Sequence, residues 1–397
     1  MTRLLPALLA VTLAAAAGLA ATPASADAVR GNEWALGALR ASDAWLTSRG
    51  EGVTVAVLDT GVDPGHPDLT GQVTTGPDVI GGGARLGDAW WGEHGTAMSS
   101  AIAGHGHGPG GGDGVMGIAP AARILSVRVI TERNDPVRTM SPSQRAAAGY
   151  REGDTLPDAI RYAADHGAQV INMSLGGTEP TSDRDTRDDE AIQYAIAHNV
   201  VVVASEGNGA ETANSIEYPA AFPGVIAVAA TDRSGHRATF STHQWTTSVA
   251  APGVDILGAR PGGGYAIGDG TSPAAAFVSG ACALIRSRFP QLSPAQVRQV
   301  LERTAAAPAG RYTEELGWGL VQPAAALRMA ATLTAQAPAP APAAYRGRLL
   351  GDGSTPSVSF GWVYRQAVIG LLALPAGGLL TVGGVLLAVR PRRRRAR

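Results

Sequence analysis

The sequence predicts an α/β fold in three layers around a mostly parallel sheet, followed by one C-terminal transmembrane helix. Two patterns carry this expectation. Short apolar, β-branched runs recur along the chain and alternate with helix-like segments. That alternation buries a parallel sheet on both faces. Near the C-terminus, residues 367–389 carry no charged side chain. A run of about 23 apolar residues is long enough to cross a bilayer as a helix.

The elements follow in order. Residues 1–26 open with Arg3, continue apolar from Leu4 and close on Ala24-Ser25-Ala26. A positive start, an apolar stretch and a small-x-small end predict a secretory signal peptide cut after Ala26. Residues 27–52 form an extension in which Trp34, Leu36, Leu39, Ala44 and Trp45 supply an apolar face. It is too short for a large folding pro-domain. The main domain spans residues 53–332. Within it, residues 53–58, 124–130, 169–175, 200–204 and 225–230 read as buried strands. Residues 157–166, stopped by Gly167, and residues 190–198 read as helices. Residues 333–366 are rich in Ala and Pro at their start, with Pro338, Pro340 and Pro342 alternating. Such segments are stiff spacers, here a stalk. The span at 367–389 runs into an arginine-rich tail, residues 390–397. A basic flank marks the cytoplasmic side, so the main domain is expected outside the cell membrane.

Composition narrows the function. The 397-residue chain has a formal net charge of -1. No global field draws it to nucleic acid. Cys282 is the one cysteine. No intramolecular disulfide can form, and its apolar neighbours predict an inert, buried thiol.

Three motifs carry chemistry. In Val57-Leu58-Asp59-Thr60-Gly61, an aspartate ends a buried strand. Open α/β sheets place functional groups at that end. In Glu93-His94-Gly95-Thr96-Ala97, a histidine precedes a run of small residues suited to a closely packed helix. In Gly270-Thr271-Ser272-Pro273-Ala274, a serine stands before a proline and an apolar run. Read alone, Ser272 is a helix N-cap with Pro at the next position. The order Asp, His, Ser turns that serine into a candidate nucleophile, with the positive end of a helix dipole close by. A fourth element, Ser205-Glu206-Gly207-Asn208, puts an amide just past a strand. Such a side chain can donate to the oxyanion of acyl transfer. Glu206 either lines the pocket for the residue before the scissile bond, favouring a basic one there, or points to solvent. His105 and His107 lie in a Gly-rich stretch without a third ligand at convincing spacing and read as a flexible loop.

These motifs resemble those of subtilisin-like serine proteases over about residues 52–330. The resemblance implies a subtilisin-like three-layer fold. It implies that Asp59 orients the imidazole, His94 moves the proton, Ser272 attacks, and Asn208 stabilises the oxyanion. Asn172-Met173-Ser174-Leu175-Gly176-Gly177 is similar to the family's strand that pairs with an extended polypeptide substrate, with Ser174, Leu175 and Gly176 at the centre. The lead-in at Arg30 to Trp45, His94-Gly95-Thr96-Ala97, the stalk, the span and the basic tail resemble the mycosins. These are membrane-anchored proteases associated with type VII secretion, and a secretion complex is the implied partner. The run Pro273-Ala274-Ala275-Ala276 departs from the family's usual pattern after the serine. Pro273 lacks its own N–H but leaves that of Ser272. No cofactor is expected. Asp68 and Asp113 lie in segments similar to calcium-site regions, but the sequence does not complete a coordination shell. A non-proteolytic scaffold or clamp for a secretion complex is the alternative reading. A lipase or esterase of the α/β-hydrolase type is a distant third reading, since neither its Gly-x-Ser-x-Gly motif nor its Ser, acid, His order is found.

Overall fold

A computed structural model describes residues 28–151, 155–177, 182–307 and 310–338. The signal peptide, most of the stalk, the span and the basic tail lie outside the described residues. Among the described residues no helix is long and apolar enough to cross a membrane.

Eleven strands are described: β1 (Thr54–Asp59), β2 (Val73–Asp78), β3 (His105–His107), β4 (Asp113–Met116), β5 (Arg123–Arg128), β6 (Val170–Met173), β7 (Val201–Ser205), β8 (Ile226–Thr231), β9 (Val249–Pro252), β10 (Ile256–Arg260) and β11 (Gly264–Gly268). Seven form one sheet in the order β2-β5-β1-β6-β7-β8-β9, and every pairing in it is parallel. The other four make two antiparallel pairs, β3 with β4 and β10 with β11.

Period-two alternation splits the sheet's side chains between two cores. Val55, Val57, Val201 and Val203 face the helices Glu93–Ala103 and Thr271–Arg288. Ala56, Leu58, Ile171 and Val202 face Ile160 and Ile192 of the helices Leu156–Asp165 and Ser182–Ala197. Each fully buried Val or Leu contributes about 1.5–3 kcal/mol of transfer free energy. This is the expected three-layer arrangement. Helix and strand ends differ from the sequence reading by a few residues. The longest extension is at the Ser182–Ala197 helix, which begins well before residue 190.

Strand order sets the position of the site. From β1 the chain turns to β2 and β5 on one side and later resumes at β6 on the other. The carboxyl ends of β1 and β6 therefore flank a topological switch point, where open α/β sheets form their crevice.

The N-terminal extension packs into the main core. Ala35, Leu39, Ala41 and Ala44 are buried in the cluster that holds the Thr271–Arg288 helix. The indole of Trp34 donates to the carbonyl of Val254 at 3.1 Å, and that of Trp45 to Ile118 at 2.8 Å. At the other end, Leu333 packs on the same core and Gln296 binds the carbonyl of Thr334. The segment assigned to the stalk thus starts docked.

One local expectation is corrected. His105 and His107 belong to the β3–β4 pair rather than a flexible loop. His107 Nδ1 meets the buried Asp68 carboxylate at 2.6 Å. Asp68 also accepts from Val115 N–H at 2.7 Å and from the Tyr265 hydroxyl at 3.0 Å. Its oxygens are thereby committed within the protein. Among the described residues no group of three or more His, Cys, Asp or Glu side chains could hold a metal ion.

Candidate active site

Asp59 ends β1 with its side chain fully buried. Its Oδ1 accepts from the Thr60 N–H at 2.7 Å. His94 Nδ1 lies 2.8 Å from Oδ1 and 2.9 Å from Oδ2. A carboxylate can only accept, so Nδ1 carries the proton and Nε2 is left as a base. His94 sits in the first turn of the Glu93–Ala103 helix. The Thr60 hydroxyl accepts from Gly95 N–H at 3.0 Å, tying that turn to the end of β1. Only glycine fits at 95, because a Cβ there would fall 2.0 Å from the Gly61 carbonyl oxygen.

The Glu132 carboxylate accepts from the His94 backbone N–H at 2.8 Å. Burial works against the imidazolium, but the charge and hydrogen bond of Asp59, helped by Glu132, outweigh it. The pKa of His94 is raised, with Arg133 opposing.

Ser272 lies in the first turn of the Thr271–Arg288 helix, and Gly270 occupies the N-cap position. The helix-cap reading of Ser272 is corrected by this placement. Asn208 does the capping instead: its Oδ1 accepts from Thr271 N–H at 2.9 Å and from the Thr271 hydroxyl at 3.0 Å. With Oδ1 so engaged, the Asn208 amide points its donor end elsewhere. Ser272 Oγ donates to the Ser174 carbonyl at 3.2 Å, and Ser174 Oγ donates back to the Ser272 carbonyl at 2.9 Å. Asn172 and Ser279 continue this chain of hydrogen bonds behind Ser174.

His94, Ser174, Asn208 and Ser272 line one open cavity of about 720 Å³, with Glu132 and Ile267 on its walls. Asp59 lies behind His94, out of solvent. Leu175 and Gly176 continue from Ser174 at the end of β6 without lining that cavity. Gly177 pairs antiparallel with Tyr218. The structure thus gathers the four residues of the Asp, His, Ser and Asn motifs, although each comes from a different element.

Sequence reasoning missed Glu132 and Thr271 as supports of the site. Neither is adjacent to its partner in sequence; Thr271 lies in the serine motif, but its contact with Asn208 bridges 63 residues. The solvent-facing reading of Glu206 is corrected. It is only 2% exposed, and its Oε1 accepts from the Thr246 hydroxyl at 2.8 Å. Burial raises its pKa to about 7, with hydrogen bonds from Thr246 and Thr247 opposing. Cys282 is fully buried in the Thr271–Arg288 helix. Burial pushes its pKa up to about 12.

Residues 50–319 match the profile of the subtilase family, peptidase S8. Among curated proteins, fervidolysin from Fervidobacterium pennivorans is 35% identical over 311 residues, which is 72% of this chain and 42% of that protein. The match thus spans less than half the length of fervidolysin. Among solved structures, the MycP3 protease from the type VII (ESX-3) secretion system has a TM-score of 0.61 at 34% identity. That likeness covers 74% of this chain and 88% of the other. MycP1 from Mycobacterium smegmatis has a TM-score of 0.62 at 30% identity, covering 83% and 91%.

Proposed function

The chain belongs to the subtilase family of serine endopeptidases, and from that premise we propose a membrane-anchored, extracytoplasmic protease that works through Asp59, His94 and Ser272 beside a type VII secretion complex. The observation that carries the reading is the buried Asp59 carboxylate within 2.9 Å of His94 Nδ1, beside a cavity shared by His94, Ser272 and Asn208.

Ser272 Oγ leaves the Ser174 carbonyl, turns to His94 and attacks the carbonyl carbon of the scissile peptide bond. Its proton passes to His94 Nε2. Asp59 holds Nδ1–H and stabilises the imidazolium. The oxygen of the tetrahedral intermediate takes hydrogen bonds from Asn208 Nδ2 and the Ser272 backbone N–H, which lies among the unpaired donors of a helix start. As the intermediate collapses, His94 protonates the departing amine. Water then attacks the acyl-enzyme with His94 again as base, and Ser272 is regenerated. The substrate polypeptide lies extended along Ser174, Leu175 and Gly176, whose backbone pairs with it. No cofactor enters this sequence.

The signal peptide at 1–26, the stalk at 333–366, the span at 367–389 and the basic tail at 390–397 support placement outside the cell membrane with the tail in the cytoplasm. The likeness to a protease named for the ESX-3 system supports a type VII partner. Treatment of the full chain in detergent with a fluorophosphonate probe tests the reading. Wild type is expected to label and Ser272→Ala to stay blank. A folded wild type that labels no better than Ser272→Ala overturns it.

A further inference from the structure

A substrate whose carbonyl carbon faces Ser272 Oγ has its carbonyl oxygen beside Asn208. With the substrate paired along Ser174-Leu175-Gly176 as proposed, the side chain of that residue is directed between this segment and the backbone flanking Asn208. Three glycines of these two segments, Gly176, Gly207 and Gly209, lie against one carboxylate. A Cβ built on Gly207 would lie 2.2 Å from Glu217 Cδ, one on Gly176 would lie 2.9 Å from Glu217 Oε2, and one on Gly209 would lie 3.5 Å from Glu217 Oε1. Gly207 also has a φ of 108°, a backbone state that disfavours any side chain there.

We propose that Glu217 selects a cationic side chain, arginine or lysine, in the residue whose carbonyl is attacked. The inference rests on the reading of Ser272 and Asn208 given above. Glu217 is half-buried, and burial alone raises its pKa, without a neighbouring cation to offset it. Glu206, the residue before Gly207, adds a second carboxyl whose Oε2 has no hydrogen-bond partner, and the Glu217 charge opposes its ionisation. The pair is short of positive charge. An arginine or lysine would supply it, arginine through two parallel hydrogen bonds. An apolar side chain would bury the carboxylate without compensation, and an acidic one would add repulsion. The expected determinant is thus Glu217, not the Glu206 singled out from sequence.

The test uses the full chain in detergent, first titrated with a fluorophosphonate to count competent Ser272. Internally quenched peptides follow, identical except for Arg, Lys, Leu or Glu before the scissile bond. The Arg and Lys peptides are expected to exceed the Leu peptide in kcat/KM by about tenfold or more, with the Glu peptide the poorest. In Glu217→Gln the Arg-to-Leu ratio is expected to fall toward one. Enzyme that labels but cleaves the Leu peptide as well as the Arg peptide overturns this inference and leaves the proposed mechanism standing. Enzyme that does not label overturns both. If Glu217→Gln fails to fold, the wild-type ranking decides.

Discussion

The two ends of the Asn208 amide can be tested separately. Oδ1 caps the helix that carries Ser272, and in the proposed mechanism Nδ2 meets the developing oxyanion. Asn208→Asp keeps the acceptor and removes the donor. It should melt within a few degrees of wild type in a calorimetric scan while kcat falls. The fall should be about 100- to 1,000-fold, the cost of removing one such donor in subtilisin. Asn208→Ala loses both functions and should also lose about 1 kcal/mol of helix-cap stability. The charge around His94 yields a pH prediction. The base must be neutral to accept a proton, so kcat/KM rises with pH through the His94 pKa. Asp59 and Glu132 favour the protonated imidazole and move that limb up; Arg133 moves it down. Glu132→Gln keeps an oxygen for the His94 N–H but drops the charge, so the acid limb of a pH–rate profile should move to lower pH. That Asp59, His94, Ser272 and Asn208 form one candidate site was legible because each sits in a short motif and the motifs follow one order. Glu132 was not, since it reaches the His94 N–H from 38 residues away and only the folded chain brings the two close.

Legibility at the scale of elements follows burial. The central strands β1, β6, β7 and β8 are continuous apolar runs because helices cover both their faces. Edge strand β2 was missed: it is largely exposed and contains Gly76 and Pro77, residues that weaken a strand reading. The helix Pro294–Thr304 was also missed, although Ser293 and Gln296 form a capping box readable in sequence. Two substitutions probe how tightly the elements are joined. Gly95→Ala forces a methyl group against the Gly61 carbonyl and should cost about 1–3 kcal/mol in denaturant titration, with loss of labelling at Ser272 as the first helical turn shifts. Leu39→Ala, 1% exposed, should cost about 2–5 kcal/mol. A loss near zero would mean that the N-terminal extension is an appendage rather than part of the core.

At the scale of the whole molecule, the proposed anchor at 367–389 lies far along the chain from the candidate site residues 59, 94, 208 and 272. Ending the chain after residue 366 should move the protein from the membrane pellet to the soluble fraction on cell fractionation, with fluorophosphonate labelling retained. Cells carrying Ser272→Ala separate the enzymatic role from the alternative scaffold role. Secretion restored by that variant as well as by wild type would assign the essential role to the scaffold. Cys282 has one further consequence. An exported protein commonly depends on an oxidising compartment to staple its fold, but a lone thiol sealed inside a helix and held protonated offers nothing to oxidise or reduce. Maturation of this enzyme should be indifferent to the redox state of its surroundings. Its melting temperature and cleavage rate should be the same in dithiothreitol as in air.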